Sequence, residues 1–347
     1  MSRRATIKDV ARAAGVSTVT VSRVANAPSL VRPETRARVE EAMRQLGYAP
    51  NAAAQSMRTK ISRTIGFMVP DLSNYPNAAV AKAAEATLAD AGYYMLLTDS
   101  DHDPRREERF LRLLRARQVD GIILYLSNED DPEVQATIQG LGVPVVVLDR
   151  KLPFAVDTVF SEHQKAIRAT VRHLAAHGRR RLTLLSLNMR IRPRRERAKA
   201  FRAAVRAAGL KPDEQRVVLA DVAAVHEAVE RVLEATPRPD TLLVDGSRLL
   251  AATFQILRRR RLAVPRQIAV IAIDAVEPLA AAMPEVIGIA RDFSEIGRRA
   301  AQLMIDRLTG ALTGPPVTIV LPSRPLLAEA VAADPPTLQL VARQNKC

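Results

Sequence analysis

Within residues 6–26, TIKDVARAAGVSTVTVSRVAN, four side chains have the types and spacing that read DNA bases. Thr18 and Ser22 stand four residues apart, as do Val19 and Arg23, so on a helix both columns share one face. Arginine pairs bidentately with guanine, and valine packs on a thymine methyl. The flanking residues supply the elements that must present that face. Thr6 with Asp9 opens a first helix as an N-cap with an acid in the first turn. Ile7, Val10, Ala11 and Ala14 form its apolar stripe. Gly15 suits the left-handed residue at its end. Ser17 then caps a second helix in which Val21, Val24 and Ala25 turn inward. The alternative, an ordinary helical pair with a solvated outer face, does not require cap, apolar spacing and groove chemistry to coincide. Their coincidence points to a helix-turn-helix that enters the major groove.

Charge agrees. The first 60 residues hold 11 Lys and Arg against 4 Asp and Glu, a net +7 of the chain's +15. Positive charge concentrated at one end is what phosphate attraction and counterion release require. With 3% aromatics and no Trp, the chain lacks the stacking platforms of single-strand binders, so duplex DNA is the expected partner. A third helix follows, with Pro33 in its first turn, Val39, Ala42, Met43 and Leu46 as its buried stripe, and Gly47 as its stop. Beyond Pro50, Asn51 caps a short segment, Ala52–Arg58. A helix that brief is marginal alone and is expected to fold only on DNA and a partner copy.

TIKDVARAAGVSTVTVSRVAN, VRPETRARVEEAMRQLGYAPNAAAQSMRT and SRTIGFMVPDLSN together resemble the start of a lactose-repressor/galactose-repressor family transcription regulator. The likeness is dense over residues 5–75. It continues more loosely to about residue 330 through VDGIIL, VPVVVLDR, VRHLAAHGRRRL, AVPRQIAVIAID and EIGRRAAQLMIDRL. It implies a dimeric, ligand-responsive regulator of operator DNA. It assigns base reading to Thr18, Val19, Ser22 and Arg23, and phosphate contacts to Ser17, Thr20, Asn26 and Asn51. Thr6 and Ala54 join the DNA-contacting set, and Met57 falls where the family wedges a leucine into the minor groove.

From residue 64 the pattern alternates strand and helix. Strand-like runs are Thr64–Val69, Tyr94–Thr98, Gly121–Leu126, Val143–Leu148, Leu182–Ser186, Val217–Ala220, Leu242–Val244 and Ile268–Ile273. Amphipathic helices lie between them, among them Asn77–Ala91, Arg105–Arg115, Lys165–Ala176, Arg197–Ala208 and Ala223–Ala235. Continuous apolar strands separated by such helices mean α/β parallel sheets covered on both faces. This many strands require two sheets, with a ligand cleft at their strand ends. The expected architecture is a helix-turn-helix headpiece (1–49), a hinge helix and linker (50–62), a two-lobed periplasmic-binding-protein-like body that senses effector and dimerises (63–333), and a flexible tail (334–347). The tail has too few leucines for a coiled coil, so a dimer is expected rather than a tail-built tetramer.

Asp149 ends VVVLD, Asp274 ends VIAID, and Asp71 follows FMVP, with Asn74 close by. Carboxylates at parallel strand ends either accept hydroxyl hydrogen bonds from a polyol in the crevice or cap nearby backbone. The resemblance places Asp149, Arg197 and Asp274 at ligand-contacting positions. The chain also departs from the family, with Gly246-Ser247 where relatives often carry Asn-Asp and Arg291 where an uncharged residue is common. A basic run, Arg190, Arg192, Arg194 and Arg195, precedes Arg197. Those arginines either solvate a loop or grip an anion, such as a sugar phosphate or sugar acid. RRR at 179–181 and RRRR at 258–261 read as exposed helix ends.

Other chemistries find little support. His173 and His177 lie four apart but lack a third ligand, so they read as structural and no metal is expected. No Gly-rich phosphate loop, G-x-S-x-G or acid pair with a nucleophile appears, so neither an enzyme nor a cofactor is expected. A transport-type solute receptor would share the body's fold. The absence of an apolar leader core in MSRRATIKD, the lack of an 18-residue apolar run and the single Cys347 instead fit a cytoplasmic regulator with no membrane partner.

Overall fold

The computed structural model describes residues 5–26, 28–49, 61–218, 222–274 and 287–327. Asn51, Ala54, Met57, the expected hinge helix 52–58, and the tail with Cys347 lie outside the described residues. The chain divides after Ser62 into two units.

The first unit is helical: α1 (Ile7–Ala14), α2 (Thr18–Asn26), a 3-10 turn (Pro28–Leu30) and α3 (Pro33–Leu46). The Thr6 N–H and hydroxyl both donate to the Asp9 carboxylate, at 2.9 and 2.7 Å, closing the first turn of α1. Gly15 and Gly47 end α1 and α3 with φ of 63° and 58°, a conformation open to glycine without a Cβ penalty. Val10, Ala11, Ala14, Val21, Val24, Val39 and Ala42 form one small core. Two expectations fail. Ala25 is exposed and Leu46 is 40% exposed, because three helices this short enclose only one seam and positions at its edge stay outside.

The second unit is α/β. Its elements are β1 (Thr64–Val69), α4 (Tyr75–Asp90), β2 (Tyr94–Asp99), α5 (Pro104–Ala116), β3 (Gly121–Leu124), α6 (Pro132–Gln139), β4 (Val145–Leu148), β5 (Asp157–Glu162), α7 (Gln164–Ala176), β6 (Leu182–Leu187), α8 (Arg192–Ala207), β7 (Asp213–Val217), α9 (Val222–Glu234), β8 (Thr241–Asp245), α10 (Ser247–Arg259), β9 (Ala269–Ile273), β10 (Ile287–Ala290), α11 (Phe293–Thr309), β11 (Thr318–Pro322) and β12 (Arg324–Leu326). They form two six-stranded sheets, ordered β11-β5-β4-β3-β1-β2 and β12-β10-β9-β8-β6-β7. The first sheet is parallel throughout, and in the second only β12 runs antiparallel, against β10. Each sheet carries apolar cores on both faces, as near-continuous runs such as Ile122–Leu124 and Val146–Leu148 dictate. We call the two halves lobe 1 and lobe 2. The chain passes between them at His163, at Arg291–Asp292 and at Ser323.

The expected strand Val217–Ala220 is instead Asp213–Val217, and β5, β10, β11 and β12 add to the expected set. An edge strand explains part of this. β7, DEQRV, is polar in sequence and mostly exposed, which hides it from a search for apolar runs. The basic run is no solvated loop either: α8 begins at Arg192, five residues before the expected start. Of the arginine triplet, Arg179 is among the largest fully buried side chains. Its guanidinium donates to the backbone oxygens of Asp240, Pro265 and Arg266. The 258–261 run is exposed, and Glu230 and Glu234 pair with Arg259 and Arg260. His173 and His177 stack at 4.2 Å between ring centroids. Among the described residues, no helix is long and apolar enough to cross a membrane.

α11 returns to lobe 1 and packs backbone-close on α4. A Cβ at Gly297 would lie 2.3 Å from the Val80 carbonyl oxygen and 2.9 Å from the Ala84 nitrogen. Gly297→Ala must therefore push two helices apart. It is expected to cost about 1–3 kcal/mol, read as a lower urea midpoint at unchanged slope. An unaltered midpoint would show slack between the helices.

Candidate functional site

The base-reading candidates stand on one face of α2. Thr18, Val19 and Arg23 are exposed, Val19 by 60%, while Ser22 is half-buried and Asn26 closes the helix. Ser17 spends its hydroxyl locally, accepting from the Thr20 N–H at 3.2 Å and meeting the Thr20 hydroxyl at 3.0 Å. That is N-cap geometry, and it leaves the outer column of Thr18, Val19 and Arg23 to face outward.

In the second unit, one cavity of about 100 Å³ lies between the lobes. Asp71, Asn74, Asp149, Arg197, Asp274 and Arg291 all line it. All but Arg197, which lies in the second turn of α8, stand at the carboxyl end of a strand or where the next helix starts. Asp149 follows β4 and Asp274 follows β9, with φ of 50° and 65°, left-handed values that aspartate tolerates better than most residues. The lobes contribute opposite charges. Across the cleft, Arg248 of lobe 2 donates to Asp71 of lobe 1 at 3.1 Å, and Arg195 of lobe 2 pairs with the buried Glu129 of lobe 1. Arg192 of lobe 2 lies 3.8 Å from Asp149 and stacks 4.0 Å over the Phe160 ring.

At the centre, Asp274 is clamped by two guanidinium groups. Arg197 Nη2 reaches both its oxygens at 3.1 and 2.9 Å, and Arg291 donates Nε and Nη2 to them at 2.6 and 2.9 Å. Arg291 also donates to Asp149 at 2.5 Å and to the Ser161 hydroxyl at 3.1 Å. The second Nη of Arg197 donates to Asp245, which ends β8 and also pairs with Arg194. The strand-end aspartates were expected to offer their oxygens to a polyol. For Asp274 that fails: its acceptor positions are taken by arginine.

These contacts fix the protonation states. Burial alone would raise the Asp274 pKa, but the charges of Arg197 and Arg291 outweigh it and hold the carboxyl far below its usual range. Burial likewise opposes the charge on Arg291, and Asp274 with Asp149 more than restores it. His163 is driven well below the ordinary imidazole value by burial and then by Arg197 and Arg291, so it is neutral at pH 7. Tyr125 is raised by burial and by Asp149, and remains a hydroxyl donor facing the cavity.

Arg194, named in the basic run, belongs to this cluster; sequence reasoning missed Asp245, Arg248, His102 and Arg150, which belong to it as well. Asp245 was legible: TLLVD repeats the pattern of VVVLD and VIAID, and the expected strand stopped one residue short of it. Arg248 had no comparable signal, since its partner is 177 residues away.

Removing the charge of Asp274 strands two buried arginines, so Asp274→Asn is expected to cost about 3–5 kcal/mol at pH 7. The folded pKa lies below the unfolded value of about 3.9, so this stabilisation is complete above that pH and drains away as pH falls further. Thermal unfolding across pH should show the gap between wild type and variant closing in acid. A gap independent of pH would mean the carboxylate charge is not what holds the cluster.

Comparison with known proteins gives two family matches: "Bacterial regulatory proteins, lacI family" over residues 6–51, and "Periplasmic binding protein-like domain" over residues 171–326. The HTH-type transcriptional repressor CytR of Escherichia coli strain K12 is 30% identical over 314 residues, covering 89% of this chain and 92% of that protein. The ribose operon repressor of the same strain is 29% identical over 309 residues, covering 88% and 93%. The lac repressor dimer bound to operator and an anti-inducer superposes with a TM-score of 0.84 at 24% identity, over 95% of this chain and 100% of that one. An operator-reading helix pair, a two-lobed cleft body and near full-length similarity to repressors converge: this chain belongs to the lacI family of bacterial regulatory proteins and is a ligand-responsive transcriptional regulator, not an enzyme.

Proposed function

We propose that this regulator acts in the cytoplasm as a homodimer on a palindromic operator, reading bases with Thr18, Val19, Ser22 and Arg23, and that its effector is a sugar-like metabolite bearing an anionic group. The contacts to DNA phosphates would come from Thr6, Ser17, Thr20, Asn26 and the hinge segment. Effector recognition would rest on Asn74, Asp149, Arg197 and Arg291, with Asp274 holding the two arginines in place and Asp71 closing the cleft from lobe 1.

The observation that carries the effector class is a surplus of donors in the cleft. Among the described residues lining it, five arginines stand against three aspartates, with Asp245 behind the wall pairing Arg194 and Arg197, and the buried Nε of Arg197 has no hydrogen-bond acceptor. A neutral polyol needs acceptors for its hydroxyls, yet Asp274 has none to spare. A phosphate or carboxylate brings the acceptor oxygens that the arginines lack. Ligand pockets typically span roughly 300–1,000 Å³. A cavity of about 100 Å³ must therefore open to admit a sugar, and the inter-lobe ion pairs are what must part.

On operator DNA, Arg23→Ala is expected to cost about 1–3 kcal/mol and to relax the preference at one position of each half-site. Binding of both proteins to a selected palindrome and its single-base variants checks this. Unchanged base preference would remove Arg23 from the reading set. Asp149→Ala and Arg291→Ala should each weaken binding of the effector found by screening sugars, sugar phosphates and sugar acids. Undiminished affinity in both would place the site elsewhere.

A further inference from the structure

Three helices begin at the cleft without a side-chain N-cap: α4 after Asn74, α8 after Ile191 and α10 after Gly246. Elsewhere in the same unit α5, α6 and α11 are capped by Asp103, Asp131 and Asp292, whose carboxylates accept first-turn N–H groups. The start of α8 carries Arg192, Arg194 and Arg195 in its own sequence, whereas the start of α10 gathers cations from two helices. Arg248 lies in its first turn. The Arg194 guanidinium lies 3.5 Å from where a Cβ on Gly246 would be. Gly246 has φ of 133°, which a side chain would strain, so the backbone is left bare at that point. Gly246, Ser247, Arg248 and Arg194 all line the cavity, as does Arg197, a residue only 3% exposed whose buried Nε has no hydrogen-bond partner.

An anion already reaches this place from the opposite lobe. Asp71, following β1, sets one carboxylate oxygen 3.1 Å from Arg248 Nη2. Its other oxygen accepts from the Ser73 N–H and hydroxyl. We propose that the N-terminus of α10 with Arg248 and Arg194 is a phosphoryl-binding subsite, and that Asp71 is its built-in competitor. This deepens the effector assignment and rests on the cleft being the effector site. A phosphoryl group offers three acceptor oxygens where the Asp71 oxygen offers one. The first-turn N–H groups of a helix and a pair of guanidinium groups are the donors such a group takes. Asp71 belongs to lobe 1 and the other groups to lobe 2. A phosphoryl group seated on α10 therefore replaces a contact that bridges the lobes, and effector binding and the Asp71–Arg248 bridge exclude one another.

The test uses the full-length protein, calorimetry, and inorganic phosphate as the probe, with chloride at matched ionic strength as reference. Wild type should bind phosphate saturably. Asp71→Asn should bind it at least fivefold more tightly, because the competitor is gone, whereas a residue that contacts the ligand would shift affinity the other way. Arg248→Gln should bind at least tenfold more weakly, with Arg248→Lys between it and wild type. Arg248 is half exposed, so these variants are expected to fold, and urea midpoints verify it. The proposal is overturned if Asp71→Asn binds phosphate no better than wild type, if Arg248→Gln binds it equally well, or if phosphate acts no differently from chloride. Glucose and glucose 6-phosphate separate this from the broader reading. Binding of either sugar that depends on Arg291 while phosphate fails leaves the cleft as the effector site and removes the subsite. Binding that ignores both Arg291 and Arg248 removes the cleft reading as well.

Discussion

Asp274 between Arg197 and Arg291 is the interaction on which the cleft depends. Each guanidinium is almost wholly buried, and a buried charge without a partner is costly. The two arginines tolerate burial because they share Asp274 and draw on Asp245 and Asp149 beyond it. Arg291 stands where the chain crosses from β10 back to lobe 1, so the lattice runs from one lobe to the other through a crossover segment. Any rotation of the lobes changes the distance from Arg291 to Asp149, and with it the balance of the cluster.

The other crossovers are tied to the same region. His163 opens α7 and hydrogen-bonds the Ser323 hydroxyl at 3.1 Å, linking two of the three passages between lobes. Held neutral by burial and by the arginine charges, it makes this link without adding a further cation to a basic cluster. Around this hinge Asp71, Asp149, Glu129 and Asp130 of lobe 1 meet Arg192, Arg195 and Arg248 of lobe 2, while Arg194 and Arg197 are matched within lobe 2 by Asp245 and Asp274. Closure therefore pairs charges across the cleft, and opening frees Arg248, Arg195 and Arg192 from their lobe-1 partners.

Much of this was legible in the chain. The capping box at Thr6 and Asp9, Gly15 and the apolar spacing of α1 and α2 defined the headpiece, because short helices are governed by local signals. Apolar runs located the central strands, and their terminal aspartates located the cleft. What escaped depended on partners distant in sequence. Arg179 looked solvated because three backbone carbonyls that bury it come from 61 to 87 residues away. Asp274 looked like a polyol acceptor because no local pattern reveals that two guanidinium groups saturate it. Edge strand β7, DEQRV, carries too little apolar sequence to announce itself.

The two candidate recognition surfaces are thus encoded differently: an outward face of α2 carrying Thr18, Val19 and Arg23, and a buried ionic lattice between the lobes. Regulation requires that they be energetically coupled, and such coupling is reciprocal. The most direct measurement is a pair of titrations on one preparation, operator affinity against effector concentration and effector affinity against operator concentration. The account predicts the same factor in both directions, lost when Arg291→Gln cuts the lattice from the crossover. A cleft ligand that leaves operator affinity unchanged in the wild-type protein would contradict it.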